Sequence, residues 1–330
     1  MSRSRVLVAP DAFKGTLTAA EVAGAIAGGI RRAGGEAEEC PVADGGEGTL
    51  EVLAAVLGGE ARRTFCQDPL GRPVEARWDW LDQSRTAIVE MARASGLALL
   101  DPAELDAEAA TSAGTGELLL AARDAGAREA ILAIGGTATS DGGAGALTAI
   151  ERAGGLGEMR LVLACDVSPP FERAAIVFGP QKGATPEAVE RLTGRLQEMA
   201  EALPRDPRGR PMTGAGGGLA GALWAVHGAE IRSGAGLVLE AIDFDRRLSE
   251  ARAVVIGEGC LDGQSRHGKI GGEIYDRAVS LGVAVHAIAG SRDAEAVGLE
   301  WGELASLQIA GTPAELEDAG AALAGALTAV

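Results

Sequence analysis

The sequence predicts an α/β fold in which a Rossmann- or flavodoxin-like parallel sheet is covered by helices. The first 62 residues have the order strand, helix, strand, helix, and the same order returns from about residue 253 to the C-terminus. Many of the 49 glycines lie between apolar runs, as strand-to-helix turns require. Such alternation is typical of a parallel sheet. The predicted elements of these two segments are strands at 5–10, 36–43, 254–257, 283–289 and 307–310 and helices at 18–33, 47–58, 271–281 and 313–328.

The middle of the chain has a different character. A turn signal, Asp68-Pro69-Leu70-Gly71-Arg72-Pro73, separates two strand-like runs, and Trp78 and Trp80 then alternate with charged residues. Strand and helix patterns follow up to about residue 249. We therefore predict one α/β domain built from residues 1–62 and 250–330, with a second α/β domain inserted at 63–249.

Composition and charge exclude several classes of function. The chain has 330 residues and a formal net charge of −17, so it repels nucleic-acid backbones and anionic membranes. Its four cysteines are far apart, which argues against a zinc site or a disulfide framework. No apolar run approaches the length of a membrane span. We expect a soluble, cytoplasmic protein that binds a small molecule.

The first candidate functional residue is Lys14. It follows the strand at 5–10 and precedes a helix whose start carries Thr18 and Glu21, the pattern of a capping box. Ligands of parallel sheets bind beyond the carboxyl ends of the strands, so a lysine there is a candidate for contacting an anion. The alternative is an ordinary solvated loop lysine.

One glycine motif occurs twice between a predicted strand and a predicted helix. Residues 44–48 and 141–145 both read D-G-G-x-G. Glycines there let backbone N–H groups converge on an anion, while Asp44 or Asp141 suits Mg²⁺ or a substrate hydroxyl. The alternative is a plain helix-capping turn.

Two familiar motifs are present only in part. Residues 263–270 match G-x-x-x-x-G-K but end in Ile270, which lacks the hydroxyl that a P-loop uses for Mg²⁺. Lys269 stays a candidate phosphate contact, beside the acids Glu258 and Asp262. Residues 216–221 match G-x-G-x-x-G without a preceding strand, which leaves a nicotinamide-dependent oxidoreductase as a weaker alternative.

Asp166 ends an apolar strand, a setting that favours a general base over a solvated surface acid. Its alternative role is to cap the turn before Ser168-Pro169.

Lys182 lies in another Gly/Lys loop that precedes a helix. Several lysines, acids and glycine-rich helix starts on a parallel frame together favour binding of a polyphosphate with Mg²⁺, and hence phosphoryl transfer.

A series of ordered motifs resembles the type 1 family of bacterial glycerate kinases. It runs from residue 9 to about 290, nearly the whole chain. The motifs are Ala9-Pro10-Asp11-Ala12-Phe13-Lys14-Gly15, Val42-Ala43-Asp44-Gly45-Gly46-Glu47-Gly48-Thr49, Asp68-Pro69-Leu70-Gly71, Gly114-Thr115-Gly116-Glu117, Gly135-Gly136-Thr137-Ala138-Thr139-Ser140-Asp141-Gly142-Gly143, Ala164-Cys165-Asp166-Val167, Phe178-Gly179-Pro180-Gln181-Lys182-Gly183-Ala184 and Gly257-Glu258-Gly259-Cys260-Leu261-Asp262-Gly263-Gln264.

The resemblance implies ATP-dependent, Mg²⁺-assisted phosphorylation of D-glycerate, with 2-phosphoglycerate as the product. Phosphorylation at the 3-position, a related hydroxy acid, a non-catalytic sensor and a homodimer stay open. The implied site residues are Asp166 as base, Lys14 in catalysis and substrate binding, Asp44, Asp68, Arg72 and Ser95 for substrate, Gly135, Gly136, Thr137, Asp141, Gly142, Gly143, Lys182 and Lys269 for the nucleotide, and Glu258 and Asp262 for metal. The chain departs from the family pattern at Ser140, Ser168-Pro169 and Cys260, where the family usually has Asn, Asp/Asn-Pro and Arg.

Overall fold

The computed structural model describes residues 4–261, 269–292, 301 and 304–328. The chain divides into two compact units. The first unit comprises Met1–Asp44 and Ala235–Val330, and the second comprises Gly45–Gly234. The first unit is thus built from both chain ends.

The first unit contains a five-stranded sheet within the described residues. Every neighbouring pair of its strands is parallel. The strands, numbered in chain order through the whole protein, are β1 (Arg5–Pro10), β2 (Glu36–Glu39), β9 (Ala253–Leu261), β10 (Ala284–Arg292) and β11 (Ser306–Ile309). The helices are α1 (Ala19–Arg32), α9 (Gly234–Ala241), α10 (Phe244–Glu250), α11 (Ile270–Ser280) and α12 (Pro313–Thr328). The order of the strands across the sheet is β11-β10-β9-β1-β2.

Helix α1 shows how local sequence builds this unit. Thr18 accepts a hydrogen bond from the backbone N–H of Glu21, whose side chain bonds back to the backbone of Thr18, so the predicted capping box is formed. The helix buries an apolar stripe that packs against α12. A Cβ at Gly29 would lie 1.9 Å from the carbonyl oxygen of Glu317, so only glycine permits this close helix approach.

The strand order defines a topological switch point between β1 and β9. From β1 the chain moves outward to β2, whereas from β9 it moves the opposite way, to β10 and β11. At such a point the two connections leave the carboxyl ends of neighbouring strands in opposite directions, which opens a crevice for ligands. The fold therefore points to the carboxyl ends of β1 and β9 as a binding site.

The second unit contains a six-stranded mixed sheet. Its order is β3-β4-β5-β6-β7-β8, antiparallel from β3 to β5 and parallel from β5 to β8. The strands are β3 (Glu60–Gln67), β4 (Pro73–Leu81), β5 (Thr86–Glu90), β6 (Glu129–Ala133), β7 (Arg160–Cys165) and β8 (Glu230–Ser233). The helices are α2 (Thr49–Leu57), α3 (Ala92–Ser95), α4 (Ala113–Asp124), α5 (Ala144–Arg152), α6 (Ala174–Phe178), α7 (Pro186–Ala202) and α8 (Leu219–His227). None of the helices in the described ranges is long and apolar enough to cross a membrane.

The α/β class and the parallel sheet built from both chain ends are confirmed. The observed division differs from the predicted boundaries at residues 62 and 250, because α2 belongs to the second unit and most of α9 to the first. Helix α2 packs on β4 and β5 of the second unit, and Glu90, at the end of β5, accepts the backbone N–H groups of Gly48 (2.8 Å) and Leu50 (3.0 Å). That the units are separately folding domains stays a prediction.

Candidate active site

A cavity of about 450 Å³ lies at the switch point of the first unit. We call it the switch-point cavity. Its lining comes from the loop after β1, from β9, from the start of α11 and from β10, and it includes Asp11, Lys14, Thr16, Glu258, Cys260, Lys269 and Ser291. Its volume falls within the range of about 300–1,000 Å³ that is usual for small-molecule sites.

Two lysines supply positive charge to the switch-point cavity. The Nζ atom of Lys14 lies 3.8 Å from an oxygen of Asp44, and the Lys14 side chain is 62% exposed. Lys269 precedes the first residue of α11, and its ammonium donates a hydrogen bond to Glu258. The structure thus brings together four of the predicted site residues, Lys14, Asp44, Glu258 and Lys269.

Asp11 is a further acid of this cavity that sequence reasoning passed over in favour of Lys14. Its carboxyl is nearly buried, with the residue 6% exposed, and Oδ1 accepts the Ala12 N–H at 2.7 Å. Burial raises the pKa of Asp11 to about 8, and the charges of Asp44 and Glu258 add to this against the opposing effects of the Ala12 N–H and Lys14. The available signal was an acid directly after a buried strand.

The predicted metal ligands are only partly described. Glu258 lines the switch-point cavity, whereas Asp262 lies outside the described residues. In the part of the chain that the structure describes, no group of three or more His, Cys, Asp or Glu side chains is arranged to hold a metal ion by itself. Cys260 is exposed and also lines the cavity.

Asp166 and Gly135 lie at the carboxyl edge of the second sheet, just after β7 and β6. Oδ1 of Asp166 accepts the backbone N–H of Gly234 at 2.9 Å, so this acid also caps the start of α9. A Cβ at Gly135 would lie 2.5 Å from the Cα of Gly46. The glycine loop after Asp44 therefore packs backbone against backbone on the loop after β6.

Lys182 supports the loop after β6 from within the second unit. It is 2% exposed, and its ammonium donates to the carbonyl oxygen of Thr139 and, at 3.3 Å, to the hydroxyl of Thr137. Burial lowers the pKa of Lys182 to about 8, with Asp141 opposing the shift. Lys182 thus holds the loop through these two hydrogen bonds, and a direct contact of Lys182 with a phosphate stays a prediction.

The second D-G-G-x-G motif is a helix-capping structure in this fold. Asp141 accepts the N–H groups of Gly143 and Gly145, at 3.0 Å each, and both the N–H and the hydroxyl of Ser112, which precedes α4. Gly142 and Gly143 have φ values of 67° and 83°, and a Cβ on Gly142 would lie 2.6 Å from the sulfur of Met199. In the structure, Asp141, Gly142 and Gly143 therefore form a helix-capping turn, which is the alternative that the sequence left open.

Three predicted substrate residues are committed to contacts within the second unit. Asp68 accepts the Arg72 Nε–H at 2.6 Å, and Arg72 also pairs with Glu104 at 2.7 Å. The hydroxyl of Ser95 is buried and lies 2.8 Å from that of Thr115. In this arrangement the Arg72 charge is already balanced and Ser95 is inaccessible, because local packing and pairing use the groups that a ligand would need.

The glycines at 216–221 do not form a dinucleotide-binding turn. A Cβ at Gly217 would lie 2.1 Å from the carbonyl oxygen of Thr139, and one at Gly221 would lie 2.6 Å from the ring of Phe171. Protein atoms therefore occupy the close approach that a pyrophosphate would need. This geometry gives the oxidoreductase alternative no support.

A parallel sheet with a charged cavity at its switch point is the arrangement in which α/β proteins bind small molecules. Comparison with known proteins identifies the family. The model of the glycerate kinase family matches residues 6–153 and 150–330. The chain therefore belongs to the glycerate kinase family, and it is a kinase.

Individual relatives agree with this assignment. The chain is 37% identical to glycerate 2-kinase of Escherichia coli K12, over 87% of this chain and 85% of that one. It is 39% identical to glycerate kinase of Bacillus subtilis 168, over 89% of this chain and 87% of that one. A crystal structure from Salmonella typhimurium LT2, described as a candidate glycerate kinase 2, superposes with a TM-score of 0.82 at 33% identity and covers 99% of both chains.

Proposed function

We propose that this protein transfers the γ-phosphoryl group of ATP to the 2-hydroxyl of D-glycerate, which gives 2-phosphoglycerate. The observation that carries the proposal is the switch-point cavity, in which Lys14 and Lys269 stand beside the carboxyls of Asp11 and Glu258. A three-carbon hydroxy acid has both matching features, a carboxylate for a lysine and hydroxyl donors for an acid. The name of the Escherichia coli relative, glycerate 2-kinase, supports the 2-position.

Lys14 is the proposed contact for the substrate carboxylate. Its side chain is largely exposed, and its 3.8 Å contact with Asp44 is longer than a direct hydrogen bond. The ammonium can therefore turn to an incoming anion at small cost. Arg72, the other predicted carboxylate contact, already pairs with Asp68 and Glu104.

The residues around the switch-point cavity fit a Mg²⁺ ion that arrives with ATP. Mg²⁺ in kinases is usually held by one or two carboxylates together with phosphate oxygens, so a complete protein cage is not required. Glu258, which lines the cavity, is a carboxylate of this kind. Bound Mg²⁺ would neutralise charge on the transferring phosphoryl group.

Asp166 is the proposed general base for the attacking hydroxyl. It emerges from the buried strand β7, and a base there can take the hydroxyl proton as the bond to phosphorus forms. This role must coexist with its hydrogen bond to the Gly234 N–H. The loop of Gly135 and Gly136 is the proposed nucleotide contact of the same sheet edge.

The deciding experiment is a product analysis by ³¹P NMR. The purified protein is incubated with ATP, Mg²⁺ and D-glycerate, and we expect ADP and a single new phosphomonoester with the spectrum of 2-phosphoglycerate. A spectrum of 3-phosphoglycerate would refute the position but keep the kinase. Absence of glycerate-dependent ADP would refute the proposed function.

A further inference from the structure

Asp11 is positioned by the backbone at the centre of the switch point. Its N–H donates to the carbonyl oxygen of Gly257 at 2.9 Å, which ties the residue after β1 to β9. Its Oδ1 accepts the Ala12 N–H at 2.7 Å. These two bonds fix both the main chain and the carboxyl, so Asp11 holds one orientation against the cavity that it lines.

The carboxyl of Asp11 has unused hydrogen-bonding capacity. A carboxylate offers about four acceptor positions. Among the described residues, one hydrogen bond to this carboxyl is present, from Ala12. A nearly buried acid with so few donors is costly for the fold unless a ligand supplies more.

The neighbouring charges of the cavity are already arranged in pairs. Lys14 lies near Asp44, and Lys269 donates to Glu258. Asp11 is thus the acid of this cavity without a lysine in direct contact among the described residues. An ionised Asp11 would repel the carboxylate of an anion, whereas a hydroxyl can donate to the Asp11 carboxyl whether or not it is ionised. The cavity therefore distinguishes the two ends of a hydroxy acid.

We propose that Asp11 is a substrate-contact residue whose carboxyl accepts a hydrogen bond from one hydroxyl of the bound hydroxy acid and so selects hydroxy acids over simple carboxylates. The proposal rests on the proposed glycerate kinase function for the identity of the acid. It assigns to Asp11 the recognition of one hydroxyl, with the substrate carboxylate directed to Lys14. Asp11→Asn keeps the size of the side chain and an oxygen for the Ala12 N–H, so the variant should fold.

Cys260 provides a binding assay that does not depend on turnover. The four cysteines all lie within the described residues, and Cys260 alone is exposed while Cys40, Cys66 and Cys165 are buried. Because Cys260 lines the same cavity, a bound ligand should slow its reaction with a chromogenic aromatic disulfide. Cys260→Ser identifies the signal, since the fast phase of labelling should disappear.

The test compares D-glycerate with two acids that each lack one hydroxyl of glycerate. D-lactate lacks the 3-hydroxyl, and 3-hydroxypropionate lacks the 2-hydroxyl. All measurements are made at about pH 9, above the pKa of about 8 of Asp11, so that the wild-type carboxyl is ionised. They are made with EDTA, so that no metal bridges Asp11 and the ligand. In the wild type, D-glycerate should protect Cys260. In Asp11→Asn its apparent dissociation constant should rise about tenfold or more, as expected for loss of a hydrogen bond to a charged group. One of the two deoxy acids should bind the variant as well as it binds the wild type, or more tightly.

The sign of the effect separates recognition from general electrostatics. If Asp11 acted only through its negative charge, Asp11→Asn would strengthen binding of all three anions. The control Asp318→Asn changes an exposed charge on helix α12 and should leave every constant unchanged. Equal changes for all three acids in Asp11→Asn, or no protection of Cys260 by D-glycerate in the wild type, would overturn the proposal.

The outcome is distinguishable from failure of the proposed function. If the wild type phosphorylates D-glycerate but Asp11→Asn discriminates among the three acids as the wild type does, the kinase assignment stands and the role of Asp11 fails. If D-glycerate protects Cys260 in an Asp11-dependent way but is not phosphorylated, the role of Asp11 stands and the proposed function fails.

Discussion

Asp11 should make the stability of this protein fall as pH rises through the neutral range. The pKa of its carboxyl is about 8 in the folded protein against 3.8 as its ordinary value, chiefly because of burial. Between these two values the folded state keeps the proton and the unfolded state has lost it. A raised acid pKa therefore destabilises the folded state progressively as pH increases.

The magnitude follows from the linkage relation. One proton difference corresponds to about 1.4 kcal/mol per pH unit, so between pH 5 and pH 7 the wild type should lose about 3 kcal/mol relative to Asp11→Asn, which cannot titrate at this site. The measurement is urea denaturation of both proteins across this range, in EDTA. Other acids titrate in both proteins, so the difference between the two curves isolates Asp11.

A difference between the two proteins that stays constant from pH 5 to pH 7 would refute this reasoning. It would mean that Asp11 is ionised at the same pH in both states and that its burial has no energetic consequence. A wild type that gains stability over Asp11→Asn as pH rises would reverse the sign, and would show that Lys14 outweighs burial.

Three further substitutions test the remaining site residues. Lys14→Ala should raise KM for glycerate or lower kcat by about tenfold without lowering the melting temperature, because the side chain is largely exposed and only loosely paired; kinetics and a thermal melt of the same sample check both. Asp166→Asn should lower kcat by at least about 10²-fold while the Gly234 N–H keeps an acceptor, and an unchanged kcat would leave Asp166 with its capping role alone. Lys182→Met should raise KM for ATP by about tenfold and leave KM for glycerate unchanged, because the loop of Thr137 and Thr139 loses its hydrogen bonds to Lys182. Equal changes in both KM values would indicate a general loss of folding.

Local sequence signals were sufficient to place several elements and to place Lys14 at the switch-point cavity. The Thr18–Glu21 pair placed the start of α1, and the apolar run before Lys14 gave a strand whose carboxyl end lies in the switch-point cavity. These features depend on residues within a few positions of one another. The alternation of strands and helices at both chain ends likewise predicted the parallel sheet, since such units allow few topologies.

The contacts of the glycine loops could not be predicted from local sequence. Asp141 is followed by the same glycines whether it caps a helix or faces a ligand, and the decision comes from Ser112, 29 residues earlier in the chain. The start of α2 is bound to the second unit by Glu90, which is 42 residues from Gly48 in the chain. The pairing of Arg72 with Glu104, 32 residues away, is likewise absent from the local motif that suggested a carboxylate contact. In each case the local motif is compatible with both a structural contact and a ligand contact, and the observed contact depends on residues distant in sequence.

The measurement that tests the central claim most directly is a crystal structure with D-glycerate and a non-hydrolysable ATP analogue. We predict that glycerate occupies the switch-point cavity of the first unit, with its carboxylate toward Lys14 and one hydroxyl within hydrogen-bond distance of Asp11. Glycerate bound outside this cavity, or seated in it with its carboxylate against Asp11, would contradict the account.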